Sequence, residues 1–292
     1  MSSPENIAMH KMLRERGIPT GNDLPEMRKF FDSMYADYVV PASVKREKVN
    51  ANGVDAEWFR VGNPTACIIF SHGGGYVLGS TISHQALIGE IADAAGVDTL
   101  GLNYRLAPEH AFPAGVEDLV NAYRFVLDSG VPADRIALAG DSAGGGLTLS
   151  GLLSIKAQGL PSPRCAYVIS PWTDLTTTLP TMASQADLDP ICTLESLQQL
   201  AGLYSGDLKD PIASPLHGDW SGQPPLYIQV GEYEILLDDS RELAKKAKAA
   251  GVDVTLEVSP MGVHVYPQFS QIHPEGADAI VKAGAFLRKH LG

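Results

Sequence analysis

The stretch that decides the fold is Gly140-Asp141-Ser142-Ala143-Gly144-Gly145. It follows a short apolar run at residues 136–139, which predicts a strand, and precedes a small-residue segment at 146–156, which predicts a helix. Glycines are needed where a strand turns sharply into a helix, because the backbones come close and the dihedral angles are strained. Such a turn exposes a serine hydroxyl in front of a helix N-terminus, which stabilises negative charge. The pattern alone leaves two interpretations of Ser142 open, a nucleophile or a helix N-cap.

The composition indicates a globular protein with a sizeable core. The chain has 292 residues, 45% of them hydrophobic, and a net charge of −12. No basic cluster is present, so nucleic acid and anionic membrane surfaces are not expected partners. The N-terminal segment 1–5 lacks an apolar signal region, and no apolar run is long enough to span a bilayer. We therefore expect a cytoplasmic protein without stable membrane insertion.

The cysteines give no sign of a cofactor or of cross-links. Cys67, Cys165 and Cys192 are widely spaced, and their odd number without metal-type spacing argues against a disulfide framework or a zinc site. Cys67 and Cys165 lie in apolar runs, so we expect both to be buried free thiols. No metal or cofactor site is predicted.

Apolar runs alternate with helical stretches over most of the chain. Strands are predicted at residues 67–70, 99–103, 136–139, 167–169, 226–230 and 254–258. Helices are predicted at 83–95, 114–128, 146–156, 238–250 and 276–290. This alternation indicates an α/β fold, a mostly parallel sheet with helices on both faces. Before it, Asn52-Gly53 predicts the tight turn of a hairpin over 49–58, and helical periodicity is visible at 24–38.

One connection between two predicted strands is much longer than usual. About 55 residues separate the strand that ends near residue 170 from the strand at 226–230, against about 2–6 in a usual αβ connection. A helical piece is predicted within it at 194–203. We interpret residues 173–219, together with 1–45, as a helical cap, so that 46–172 and 220–292 form the core.

A glycine-rich segment follows the strand at 67–70. It reads His72-Gly73-Gly74-Gly75-Tyr76, and ligands of open parallel sheets bind beyond the carboxyl ends of the strands. Consecutive glycines let backbone N–H groups approach a ligand closely, as stabilising an oxyanion requires. A flexible turn would explain the glycines but not their position or the preceding histidine.

An acid and a histidine follow later strands. Glu232, Glu234 and Asp238 crowd the segment after the strand at 226–230, and a solvated loop would explain most of them. His264 lies on a glycine-containing loop after the strand at 254–258, and His273 is the second candidate. The order serine, acid, histidine is the order that α/β-hydrolases use.

Together these motifs resemble the α/β-hydrolase superfamily and, more narrowly, the bacterial hormone-sensitive-lipase-like esterases. The resemblance covers roughly residues 65 to 290. It rests on the motifs HGGGY at 72–76, YRLAPEH at 104–110, GDSAGG at 140–145, SPWTD at 170–174, the segment 231–239 and His264.

The resemblance implies roles for particular residues. Ser142 would be the nucleophile, His264 the general base and Glu234 the acid. The chain departs here from the commoner aspartate-proline-leucine, since it has Glu234-Ile235-Leu236. Three backbone N–H groups would form the oxyanion hole: Gly74, Gly75 and Ala143. Four side chains are candidates for substrate contact: His72, Tyr76, Asp141 and Tyr204.

The function that this resemblance implies is a cofactor-free serine carboxylesterase for short- to medium-chain acyl esters. On the same triad, a lactone hydrolase or an amide or formamide hydrolase is an alternative. A non-catalytic small-molecule receptor on the hydrolase fold is an alternative of another class. A homodimer is possible in this family. For Arg105 and Glu109 we prefer a structural ion pair to a catalytic role.

Overall fold

A computed structural model describes residues 3–16 and 23–292 of the chain. Residues 1–2 and 17–22, which belong to the expected N-terminal cap segment 1–45, lie outside the described residues. No helix within the described ranges is both long and apolar enough to cross a membrane.

An eight-stranded sheet forms the centre of the molecule, in the spatial order β1-β2-β4-β3-β5-β6-β7-β8. The strands are β1 (Lys45–Ala51), β2 (Val54–Arg60), β3 (Cys67–Ser71), β4 (Thr99–Asn103), β5 (Ile136–Asp141), β6 (Cys165–Ile169), β7 (Leu226–Gly231) and β8 (Val254–Ser259). β1 and β2 pair antiparallel with each other and β2 with β4, whereas the pairs from β4 to β8 are parallel. The expected α/β architecture is therefore confirmed.

Helices cover both faces of the sheet. They are α1 (Pro4–Arg16), α2 (Leu24–Ser33), α3 (Gln85–Ala95), α4 (Ala114–Asp128), α5 (Ser142–Ala157), α6 (Thr181–Ser184), α7 (Leu194–Tyr204), α8 (Leu237–Ala249) and α9 (Pro274–Leu291). Along β5, Ile136 and Leu138 face the core under α4, α5 and α8, while Ala137 and Ala139 face the core under α3 and α9. Successive side chains of the strand thus point to opposite faces of the sheet. Both faces are apolar, as expected for a parallel sheet that is buried on both sides.

The predicted hairpin is present. Ala51 pairs with Val54, and the two-residue turn between them is Asn52-Gly53. Asn52 has φ of 55° and Gly53 of 94°, the positive values that this turn requires. Cys67 and Cys165 are buried free thiols, as predicted.

The N-terminal region differs from the prediction. α1, which the sequence did not predict, packs Met9 and Leu13 against Val263 and Tyr266 of the loop after β8. The helical periodicity at 24–38 gives a helix that ends at Ser33. Because α1 is stabilised by tertiary burial of two side chains rather than by a regular apolar stripe, local periodicity did not reveal it.

The predicted ion pair between Arg105 and Glu109 is wrong. The Arg105 guanidinium binds Asp118, with Nε 2.9 Å from Oδ1, and Glu109 binds Arg28 of α2 at 2.8 Å. Arg28 also donates to the carbonyl group of Ala107. Both residues brace the loop after β4, but toward partners distant in sequence.

Candidate active site

Ser142 lies at the apex of the turn between β5 and α5. Its φ of 54° is rare for a residue with a side chain and reflects the sharp change of direction. A Cβ atom on Gly144 would lie 2.1 Å from the carbonyl oxygen of Ser71, and one on Gly140 would lie 2.4 Å from that of Gly144. The glycines on both sides of Ser142 are therefore required by contact between backbones.

His264 lies between Ser142 and Glu234. Its Nε2 is 2.8 Å from Ser142 Oγ, and its Nδ1 is 2.8 Å from Glu234 Oε2. A carboxylate can only accept, so Nδ1 carries the proton and Nε2 is left to accept the serine hydroxyl. Glu234 is fully buried and His264 is 5% exposed. The structure thus brings together the three side chains that the sequence analysis singled out.

Ser170, just after β6, is a site residue that sequence reasoning did not assign a role. Its hydroxyl donates to Glu234 Oε1 at 2.8 Å and accepts from the backbone N–H of Val265 at 3.0 Å. It therefore links the acid to the residue next to His264. Its position beyond the carboxyl end of a central strand was the available signal.

The pKa values of Glu234 and His264 depend on their burial and on their attraction to each other. Burial raises the pKa of Glu234, and its hydrogen bond to His264 opposes that rise. Burial disfavours the imidazolium form of His264, but the neighbouring Cys192 and Glu234 raise its pKa well above the ordinary value. Since desolvation raises the pKa of the Cys192 thiol and keeps it neutral, the charge that stabilises imidazolium is that of Glu234.

The other candidate acids and the other candidate histidine lie elsewhere. Glu232 accepts from the backbone N–H of Met261 at 2.9 Å, and Asp238 accepts from Thr181 at the start of α6. His273 caps α9 by accepting from the N–H of Gly276 at 3.1 Å. None of these three is hydrogen-bonded to the ring of His264 or to Ser142.

The glycine loop beside Ser142 is held by Asp141. The N–H of Gly73 donates to Asp141 Oδ1 at 3.0 Å, and Asp141 Oδ2 lies 3.2 Å from Nε2 of His84. Asp141 was expected to contact substrate. It borders the cavity over Ser142, but both its carboxylate oxygens face protein groups. Gly74 has φ of 114°, open to glycine but not to a side chain.

A cavity of about 180 Å³ opens over Ser142 and His264. It is bordered by Gly74 and Gly75 on the sheet side, and by helices α1, α2 and α7 on the other. Most of its wall is apolar, with side chains that include Leu13, Phe31, Trp172, Ile191, Leu197 and Leu200. The volume lies below the range of about 300–1,000 Å³ that is usual for drug-sized ligands.

Three residues expected to contact substrate are not among those that border the cavity. Tyr76 and Tyr204 stack at 3.7 Å between ring centroids and are almost fully buried. His72 stacks on Tyr104 at 4.4 Å, and burial together with the nearby His84 lowers its pKa to about 3. All three rings are buried among protein groups and none borders the cavity, and their contact with substrate stays a prediction.

Comparison with known proteins agrees with this geometry. A family model described as the alpha/beta hydrolase fold matches residues 68–268. The chain belongs to the α/β-hydrolase family.

Relatives of this α/β-hydrolase place it in one branch of the family. It is 38% identical to an acetyl-hydrolase of Streptomyces hygroscopicus, over 100% of this chain and 99% of that protein. It is 42% identical to an esterase of the bacterial hormone-sensitive lipase family, with a TM-score of 0.96 and both chains fully covered. The esterase EstE5, soaked with p-nitrophenyl butyrate, has the same identity, a TM-score of 0.95 and 99% of both chains covered. The α/β-hydrolase is thus a hormone-sensitive-lipase-like esterase.

Proposed function

We propose that this α/β-hydrolase is a serine carboxylesterase that cleaves short- to medium-chain acyl esters with Ser142, His264 and Glu234. The observation that carries the proposal is the unbroken line of hydrogen bonds from serine to carboxylate, with 2.8 Å at each step. Nucleophile and base in hydrogen-bond contact, with the base oriented by a third group, are the signature of covalent catalysis.

The reaction follows from these contacts. Ser142 Oγ attacks the ester carbonyl carbon as its proton moves to Nε2 of His264. The carbonyl oxygen becomes an oxyanion, for which the N–H groups of Gly74, Gly75 and Ala143 are the proposed donors; Ala143 lies in the first turn of α5, where N–H groups lack partners within the helix. His264 then protonates the leaving alcohol. Water repeats the sequence on the acyl-enzyme and releases the carboxylic acid.

The proposed cap consists of residues 1–45 and 173–219. Three of its helices contribute side chains to the cavity wall, among them Leu13 of α1, Phe31 of α2 and Leu197 of α7. A small, mostly apolar cavity favours short to medium acyl groups over long chains. Burial of an apolar acyl group in it is favourable, but the volume is too small for a long chain. The relative soaked with p-nitrophenyl butyrate suggests a suitable assay ester.

The test is Ser142→Ala with p-nitrophenyl acetate and butyrate. We expect a loss of at least ~10⁴-fold in kcat, since alanine lacks the hydroxyl that attacks the ester carbonyl carbon. The matched control is Ser154→Ala on the same helix α5, where the hydroxyl accepts from Nε2 of Gln158 at 3.1 Å. A covalent phosphonate probe should label wild type and Ser154→Ala but not Ser142→Ala. Hydrolysis by Ser142→Ala at the wild-type rate would refute the proposal.

A further inference from the structure

The polar groups on the cavity wall are almost all occupied by other protein groups. Ser142 and His264 bind each other, and Asp141 lies against His84. Ser196 donates to the carbonyl group of Thr193 at the start of α7. These side chains therefore have little hydrogen-bonding capacity left for the non-reacting part of a substrate.

Gln268 is different. It lies four residues after His264, borders the cavity and is 5% exposed. Its Nε2 donates to the carbonyl group of Ser83 at 3.1 Å, but its Oε1 has no protein partner. Among the described residues that border the cavity, this oxygen is the buried side-chain polar atom without a partner.

The orientation of the Gln268 amide is fixed by chemistry. The Ser83 carbonyl oxygen can only accept a hydrogen bond, so the amide atom facing it must be the NH₂ group. The remaining atom is thus a pure acceptor, buried on a residue that borders a mostly apolar cavity. A buried acceptor without a donor costs free energy, and a ligand that supplies the donor recovers it.

We propose that Gln268 Oε1 is a specificity element that accepts a hydrogen bond from a hydroxyl or N–H group of the substrate. The preferred substrates are then small esters that carry such a donor near the scissile carbonyl group. This inference rests on the proposed esterase function and adds to it a class of substrate. A site that hydrogen-bonds its substrate discriminates against analogues without the donor more strongly than an apolar pocket discriminates by size.

The experiment compares esters in which a hydroxyl replaces a methyl group. One pair differs in the acyl part: p-nitrophenyl 3-hydroxybutyrate and p-nitrophenyl 3-methylbutyrate. The other differs in the alcohol part: 2-hydroxyethyl butyrate and propyl butyrate. We expect wild type to favour the hydroxylated member of at least one pair by about tenfold in kcat/KM. In Gln268→Met the ratio of kcat/KM for the hydroxylated member to that for the apolar member should fall to one or below.

Gln271→Met is the matched control. Gln271 is exposed, lies three residues further on the same segment and bonds to the backbone of Val39, away from the cavity. It should keep the wild-type preference. The inference is wrong if wild type favours neither hydroxylated ester, a measurement that needs no variant, or if Gln268→Met keeps the preference. Failure of wild type to cleave any of these esters would instead refute the esterase function itself.

Discussion

The Asp189 carboxylate accepts a hydrogen bond of 2.9 Å from the backbone N–H of Ile235, the residue directly after Glu234. Its other oxygen accepts from the N–H groups of Ile191 and Cys192, which border the cavity. One buried side chain therefore ties the long insertion to the loop that carries the proposed catalytic acid. The position of the cavity wall and that of Glu234 are coupled through it.

Asp189→Asn should lower kcat by about tenfold, with a smaller change in KM. The amide oxygen can still accept from Ile191 and Cys192, but the NH₂ group then faces the N–H of Ile235, and two donors repel. Steady-state kinetics with p-nitrophenyl butyrate measures the effect.

The matched control for this variant is Asp210→Asn. Asp210 accepts from the N–H groups of Ile212 and Ala213, two and three residues further along the chain, so it forms a local turn of the same kind as Asp189. It does not bind the loop that carries Glu234. Its kcat should stay at the wild-type value. Equal losses in both variants would contradict the coupling between Asp189 and Glu234.

Glu234→Gln should reduce kcat by about 10³–10⁴-fold, because an amide no longer fixes the tautomer or stabilises imidazolium. The carboxylate raises the pKa of His264, so its removal should also move the acid limb of the pH–rate profile to lower pH. The control is Glu232→Gln, whose carboxylate binds the N–H of Met261. If Glu232→Gln lost as much activity as Glu234→Gln, the assignment of the acid would be wrong.

Asp239 should make the protein less stable as pH rises. It is fully buried, and burial raises its pKa to about 7 in spite of hydrogen bonds from the N–H groups of Thr173 and Asp174. Between about pH 4 and 7 the folded chain keeps a proton that the unfolded chain releases, so the free energy of unfolding falls as pH increases, by up to about 1.4 kcal/mol per pH unit.

This slope is measured by urea unfolding at several pH values, in wild type and in Asp239→Asn. The amide oxygen can replace Oδ1 as acceptor, and the variant cannot ionise, so its stability should depend less on pH. The exposed Asp253 provides the control, Asp253→Asn, which should keep the wild-type slope. An unchanged slope in Asp239→Asn would show that another group is responsible.

Two glycine-to-alanine changes should have opposite effects on stability. In Gly144→Ala the new Cβ would lie 2.1 Å from Ser71 O and 2.3 Å from His72 O, backbone atoms that cannot move aside cheaply. We expect a loss of about 3 kcal/mol or failure to fold. In Gly202→Ala, within α7, the Cβ meets nothing within 4 Å, and we expect a gain of about 0.5–1 kcal/mol. Thermal unfolding measures both, and similar values would contradict the account of the turn.

Much of the fold could be predicted because its signals are local. Asn52-Gly53 determines a hairpin through the φ angles that it permits, and the alternation of apolar runs with helical stretches determines a parallel sheet. Ser142, His264 and an acid after β7 could be proposed together because each follows a parallel strand, and parallel strands bring such positions to one edge of the sheet. The choice of Glu234 among the acids came from the family resemblance. α1 and the partners of Arg105 and Glu109 could not be predicted, since they depend on contacts between distant segments.

The sequence by itself determined the family, the architecture and the choice of serine and histidine. Strand position left three acids open, and the tertiary structure decided which of them faces His264, because Glu232, Glu234 and Asp238 all carry a carboxylate and differ in the partner that each one meets. It also decided that Tyr76 and Tyr204 are buried against each other and that Gln268 borders the cavity. Residue types determine which chemistry a site can perform, whereas the positions of its side chains depend on contacts between segments that are distant in the sequence.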